Sequence, residues 1–107
     1  MAAVAKLIAA RTRIADQAQW TTEVYARDAA GNSVPPNAAD ACRWCAYGAL
    51  VVEGGEEHGP EASLLTRAAR SLRSYGVLGT NDELGHAAVI AMYDHAIELA
   101  ALCAEGC

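Results

Sequence analysis

Apolar positions recur with a helical period along most of the chain and take on strand character in one stretch. Residues 3–16 (AVAKLIAARTRIAD) set Val4, Leu7, Ile8 and Ile14 at helical spacing with Lys and Arg between them, which predicts an amphipathic helix. From Trp20 to Val34 the character changes, because Trp20, Thr21, Thr22, Val24 and Tyr25 are β-formers. Asp28-Ala29-Ala30-Gly31 reads as a type I turn followed by a glycine able to take φ > 0. A short hairpin is therefore expected, about 23–28 with 32–35, closed by Pro35-Pro36.

Asn37, with Asp40 in the first turn, reads as the N-cap of a second helix that runs to about Glu53 and stops at Gly54-Gly55. On its wheel Ala38, Ala41, Cys42, Cys45, Ala49 and Val52 share one face. Trp44, Tyr47, Leu50 and Val51 share the other, which leaves Arg43 and Glu53 polar. A helix apolar nearly all round is buried, so this segment is the expected centre of the domain. A third helix, about 60–75, gathers Leu64, Leu65, Ala68, Leu72 and Tyr75 in one arc, with Arg67, Arg70 and Arg73 on the other side. Residues 77–85 read as a loop rich in turn formers. The last helix, about 86–104, aligns Val89, Tyr93, Ala96, Ile97 and Ala100, with Asp94, His95, Glu98 and Glu105 away from that stripe. The expected fold is mainly α: a four-helix single domain over 1–107 with a short β-hairpin inserted between helices 1 and 2.

Composition narrows the function classes. The chain has 107 residues, 8 basic against 13 acidic, for a net charge of −5. Domains built to bind nucleic acid usually have a pI above roughly 9, so the balance argues against a nucleic-acid partner and for a protein or small molecule. No stretch reaches the roughly 18 apolar residues of a membrane span, and Lys6, Arg11 and Arg13 interrupt the first helix as a signal sequence. A cytoplasmic location is expected, with the four cysteines reduced.

Three pieces of sequence carry a resemblance. The first is Trp20 followed by Tyr25-Ala26-Arg27-Asp28 and Gly31; the second is Arg43-Trp44-Cys45-Ala46 with Gly48-Ala49-Leu50. The third is Asn81-Asp82 followed by His86, Val89 and Tyr93-Asp94-His95-Ala96-Ile97. With these, the segment from Trp20 to the last helix resembles a family of small, functionally uncharacterised bacterial and bacteriophage proteins. The resemblance implies a shared fold and a phage or mobile-element context, and it implies no reaction. The chain departs from that pattern at Thr80, where an aromatic or aliphatic residue often precedes Asn-Asp. Cys42, Cys103 and Cys107 lie outside the shared pieces.

Several groups are chemically capable. Cys42 and Cys45 form a C-x-x-C pair and Cys103 with Cys107 a C-x-x-x-C pair, spacings that can present four thiolates to zinc. Buried cysteine also packs as a small hydrophobe, and with the first pair inside a buried helix packing is the expected role. No metal or cofactor is expected. Cys45 as nucleophile, His86 as base and Asp82, Asn81 or Asp94 as orienting group would make a thiol catalytic set if they met. The alternative for His86 is packing at the start of the last helix, its ring bonded to loop carbonyls or Asp82. His95 reads as a surface residue, and His58 as part of an acidic loop. Asn81-Asp82 is expected to form an Asx-type turn at the entry to the last helix, and Trp20 and Trp44 to be structural. Arg67, Arg70 and Arg73 form a basic stripe, either a weak partner-binding face or a solvated one. No phosphate-binding glycine loop, H-E-x-x-H or G-x-S-x-G occurs.

The leading expectation is a non-enzymatic protein-binding accessory or regulatory factor, phage-borne and acting on a host system such as defence. A second copy of the chain is one candidate partner. The alternative is a thiol-dependent enzyme with Cys45 as nucleophile and His86 as base.

Overall fold

Helix α1 (Ala2–Arg13) packs through the stripe Leu7, Ala10 and Ile14, all fully buried, at the i, i+3, i+7 spacing of one helix face. Ile8 belongs to the same apolar pattern yet is 47% exposed, because the turn of the helix carries it past the packed stripe. The computed structural model describes residues 2–56, 59–73 and 76–106, with the course of the backbone alone at 2, 73 and 103–106. Tyr75, His58 and Cys107 therefore lie outside the described residues, as do the side chains of Arg73, Cys103 and Glu105.

A 3₁₀ turn (Gln17–Gln19), capped by the Asp16 carboxylate on the Ala18 N–H, leads into the strand β1 (Ala26–Arg27). The expected turn at 28–31 is present. Gly31 has φ +90°, its N–H donates to the Asp28 carbonyl, and the Asp28 N–H donates to Asn32. The hairpin itself is shorter than expected, a single antiparallel bridge of Arg27 to Ser33. The main partner of β1 is instead β2 (Arg43–Trp44), antiparallel, with Ala26 opposite Trp44 and Arg27 opposite Arg43.

That pairing corrects the second helix. Residues 38–45 are not helical, since the N–H groups of Cys42 and Cys45 are drawn to the carbonyls of Arg27 and Tyr25. Residues 35–41 make two successive turns, Ala38 on Pro35 and Ala41 on Ala38. Helix α2 is therefore only Ala46–Val52, with Cys45 as N-cap. It remains central: Ala46, Gly48, Ala49 and Leu50 are buried. Sheet pairing across the fold outweighs the helical periodicity of residues 38–45, as tertiary context commonly does over local preference.

Helix α3 (Pro60–Arg73) buries Ala62, Leu65, Ala68 and Ala69, while Leu72, assigned by periodicity to the core, is 42% exposed at its end. Residues 77–84, expected as a loop, are helical: a single turn α4 (Val77–Gly79) widens into a π-helical turn, Thr80–Leu84. Gly85, at φ +92°, breaks it. Helix α5 (His86–Gly106) buries Val89, Met92, Tyr93, Ala96 and Ala100, with Ile97 half-buried. Among the described residues the architecture is mainly helical with a two-stranded antiparallel sheet, and five α-helices stand where four were expected.

Ion pairs pin α1 to its neighbours: Arg11 to Asp94 on α5 and Arg13 to Glu53 after α2. The Arg13 guanidinium also lies 4.7 Å from the centroid of the Trp44 ring. Among the described residues, no helix is long and apolar enough to cross a membrane.

Candidate functional site

The three pieces of sequence singled out above converge on one buried side chain, Asn81. Its Oδ1 accepts from the Trp20 indole N–H at 2.7 Å and from the Ala46 N–H at 3.0 Å. Its Nδ2 donates to the Thr21 carbonyl at 3.1 Å and to Asp82 Oδ1 at 2.9 Å. Asp82 Oδ1 also accepts the N–H of Glu23, a non-glycine residue held at φ +72°. Asn81 and Asp82 therefore do not make the local Asx turn expected of them. They tie segments 20–23 and 46 to the π-helical turn, and the wide turn is what leaves the Asn81 side chain free for distant partners.

The start of α2 is enclosed in the same way. The Ala46 carbonyl accepts the Tyr93 hydroxyl at 2.7 Å, while Cys45 Sγ accepts the Gly48 N–H at 3.3 Å. The sulfur satisfies one of the N–H groups that the first turn of a helix leaves without an internal partner, while the hydroxyl ties α5 to the same turn through a carbonyl. Gly48 lies against the Tyr25 carbonyl so closely that a Cβ there would overlap it. Arg27 spreads its guanidinium over Thr21 Oγ1, the Gly31 carbonyl and the Thr22 carbonyl, at 2.8, 2.8 and 3.2 Å. Asp28 accepts from the Ala30 and Asn32 N–H groups, and those bonds from Asn32 foremost hold its carboxyl below the usual range.

The proposed thiol chemistry meets a different arrangement. The Cys45 thiol is 2% exposed, and burial first, then Asp82, pushes its pKa up. The small cavity reaching it, about 80 Å³, is lined by Glu23, Val24, Tyr25, Leu78 and Asp82, two acids among them. His86 directs Nε2 at the Ile14 carbonyl, 2.7 Å away, which requires that nitrogen to carry the proton. Its ring stands 5.4 Å from that of Trp20. His86 is thus packed at the start of α5, bonded to the end of the α1 segment and not to Asp82. Asp94 is held by Arg11.

Cys42, half-buried, precedes β2, and Cys45 follows it, so the C-x-x-C pair spans a strand and not a helix face. Among the described residues, no three His, Cys, Asp or Glu side chains gather as a metal cluster. Arg67 and Arg70 are exposed on α3. His95 is half-buried, 3.6 Å from Glu98.

Surface depressions are also present among the described residues. A cleft of about 450 Å³ between α1 and Trp44 is lined by Ala9, Thr12, Arg13, Gln19 and Glu53, and its charged groups already satisfy each other. A groove of about 400 Å³ is formed by Leu72 of α3, Thr80 and Leu84 of the π-helical turn, and Ala87, Ala88 and Ala91 of α5. Its side chains are apolar apart from Thr80, with Ala87 and Ala91 exposed. Sequence periodicity misses this groove because it sorts Leu72 into the core and reads residues 77–85 as a loop. The available signal is the i, i+4 pair Ala87 and Ala91 on the outer side of the last helix.

A search of curated proteins and of solved structures finds no match. The model of the family of unknown function DUF6197 matches residues 1–99, and the chain belongs to that family.

Proposed function

We propose that the protein is a non-enzymatic binding module whose partner is another protein, received in the apolar groove between the end of α3 and the start of α5. The observation that supports this reading is the groove itself: Leu72, 42% exposed, faces a floor of small side chains on α5. Large apolar side chains left open beside a shallow apolar depression are a feature of interaction surfaces. The residues of the three shared pieces support it indirectly, because Trp20, Arg27, Cys45, Asn81, His86 and Tyr93 spend their polar atoms on the fold. The net charge of −5 and the resemblance to bacteriophage proteins favour an accessory factor acting on a host protein in the cytoplasm.

Affinity capture from bacterial lysate tests the reading when run beside an Ala87→Gln/Ala91→Gln variant. Both sites are exposed, so the variant keeps its fold while polar bulk fills the groove. A stoichiometric partner held by the natural chain and lost by the variant is the expected result. Equal capture by both chains, or none, would remove the groove from consideration.

A further inference from the structure

Glu23, Val24 and Tyr25 help to wall the small cavity that reaches the Cys45 thiol. The chain is fixed on either side of this stretch. Before it, the Thr21 N–H donates to the Trp44 carbonyl and the Thr21 carbonyl accepts from Asn81 Nδ2. After it, the Tyr25 carbonyl accepts the Cys45 N–H, and Ala26 pairs with Trp44. Between these anchors, residues 22–24 make no backbone–backbone hydrogen bond among the described residues. Two side chains hold them: Arg27 donates to the Thr22 carbonyl at 3.2 Å, and Asp82 Oδ1 accepts the Glu23 N–H at 3.0 Å. Thr22 and Val24 are half-buried and Glu23 is exposed. A short segment with so little packing, held by bonds near solvent, is the kind that opens locally at low cost.

Glu23 also sits at φ +72°, the one non-glycine residue at positive φ among the described residues. An L side chain there crowds its own backbone, so the closed arrangement is strained and an opened one relaxes to negative φ. We infer that residues 22–24 form a strap that opens locally, with the rest of the fold intact, and that this opening controls the access of small electrophiles to Cys45. The thiol is 2% exposed while the strap is closed, so a reagent reaches the sulfur only when a wall moves. The floor is poorly placed to move, because Cys45 Sγ accepts the Gly48 N–H and the Ala46 carbonyl accepts the Tyr93 hydroxyl. The cavity under the strap shares no lining residue with the groove at α5, so the strap stands whether or not that groove receives a protein.

Alkylation of Cys45 by iodoacetamide in the full-length chain reads the opening, the sulfur displacing iodide while the thiol proton passes to solvent. Peptide mass assigns the site, and Cys42 of the same chain is the internal standard. Divided by the rate in the unfolded chain, the rate gives the fraction of molecules in which the thiol is open. That fraction is expected to exceed the unfolded fraction by roughly tenfold or more, and to vary with denaturant much less steeply than global unfolding does. Glu23→Gly, Glu23→Gln and Glu23→Val remove the same charge and differ in their tolerance of positive φ. Relative to Glu23→Gln, Glu23→Gly should slow alkylation roughly threefold to tenfold and Glu23→Val should speed it by a similar factor. An open fraction equal to the unfolded fraction, with the full denaturant dependence of unfolding, would overturn local opening. Equal rates in the three variants would overturn the strap even if the opening proved local.

Discussion

The Trp20 indole N–H donates to Asn81 Oδ1 at 2.7 Å across a sequence separation of 61 residues, and the same oxygen takes the Ala46 N–H. One carboxamide thus joins the segment after α1, the first turn of α2 and the turn before α5. Asn81 is fully buried; its bond from Ala46 is shielded from water and that from Trp20 is partly so.

Removing that side chain strands its partners. Asn81→Ala leaves the Trp20 N–H, the Ala46 N–H and the Thr21 carbonyl without it, and each unpaired buried group costs about 1–3 kcal/mol. A total loss of about 3–5 kcal/mol is expected, read from denaturant midpoints. Asn81→Asp keeps the acceptor but loses both donors and places a carboxyl beside Asp82. Burial and that neighbour would raise its folded pKa above the unfolded value. The variant should then be most stable at acid pH and lose stability as pH rises through the ordinary carboxyl range. A variant whose stability matches the natural chain at neutral pH would refute the bridging role.

Cys45 is a cap before it is a nucleophile. Its sulfur accepts the Gly48 N–H, the N3 position of α2, where Ser is a preferred N-cap. Cys45→Ser is therefore expected to cost less than about 1 kcal/mol, its hydroxyl inheriting the bond, while Cys45→Ala should lose about 0.5–2 kcal/mol. In the native state iodoacetamide near neutral pH should modify Cys42 well before Cys45, since burial and Asp82 both disfavour the Cys45 thiolate. Rapid selective alkylation of Cys45, identified by peptide mass, would instead favour the thiol enzyme.

Much of this was legible in the chain and some was not. The helices α1, α3 and α5 follow from periodicity because each packs one long apolar face, as Leu7, Leu65 and Tyr93 show by their full burial. The turn at Asp28–Gly31 was readable because its hydrogen bonds are local. The partner of β1 was not, since Arg43-Trp44 becomes a strand only by meeting Ala26-Arg27 across the fold. The role of Asn81 was unreadable for the same reason: its residue type announces a turn, and its bonds reach residues 20, 21 and 46. The groove combined both obstacles, being assembled from an end residue of α3, a misread loop and inconspicuous alanines.

The alkaline limb of stability should carry the signature of the buried core. Burial holds the Tyr93 phenol well above its ordinary value of 10.0, and the Cys45 thiol above 9.0. Both groups therefore stay neutral in the folded chain while they ionise in the unfolded one. Their contribution is fully present below about pH 9 and is lost as pH rises beyond it, because the unfolded state then holds fewer protons. Tyr93→Phe should cost about 1–2 kcal/mol at neutral pH through the lost bond to the Ala46 carbonyl. It should also make the decline above about pH 10 shallower. An unchanged alkaline slope in the variant would show that the phenol is open to solvent.

The tightest test of the packing is a single methyl group. Gly48 is the third residue of α2, where alanine would ordinarily favour the helix by about 1 kcal/mol. Here an added Cβ would run into the Tyr25 carbonyl, a backbone atom that cannot swing aside as a side chain would. That stretch of backbone is doubly fixed, because the same Tyr25 carbonyl accepts the Cys45 N–H and the next residue, Ala26, pairs with Trp44. To admit the methyl, β1 must part from the start of α2, and the bonds of Cys45 and Ala46 loosen with it. Overpacking of this kind costs about 1–3 kcal/mol or more, which overrides the helix preference. Gly48→Ala is therefore expected to lower the melting temperature by at least several degrees, with Gly76→Ala as control, since nothing stands within 4 Å of a Cβ at Gly76. A Gly48→Ala chain as stable as the natural one would mean that β1 and α2 are not in the contact described.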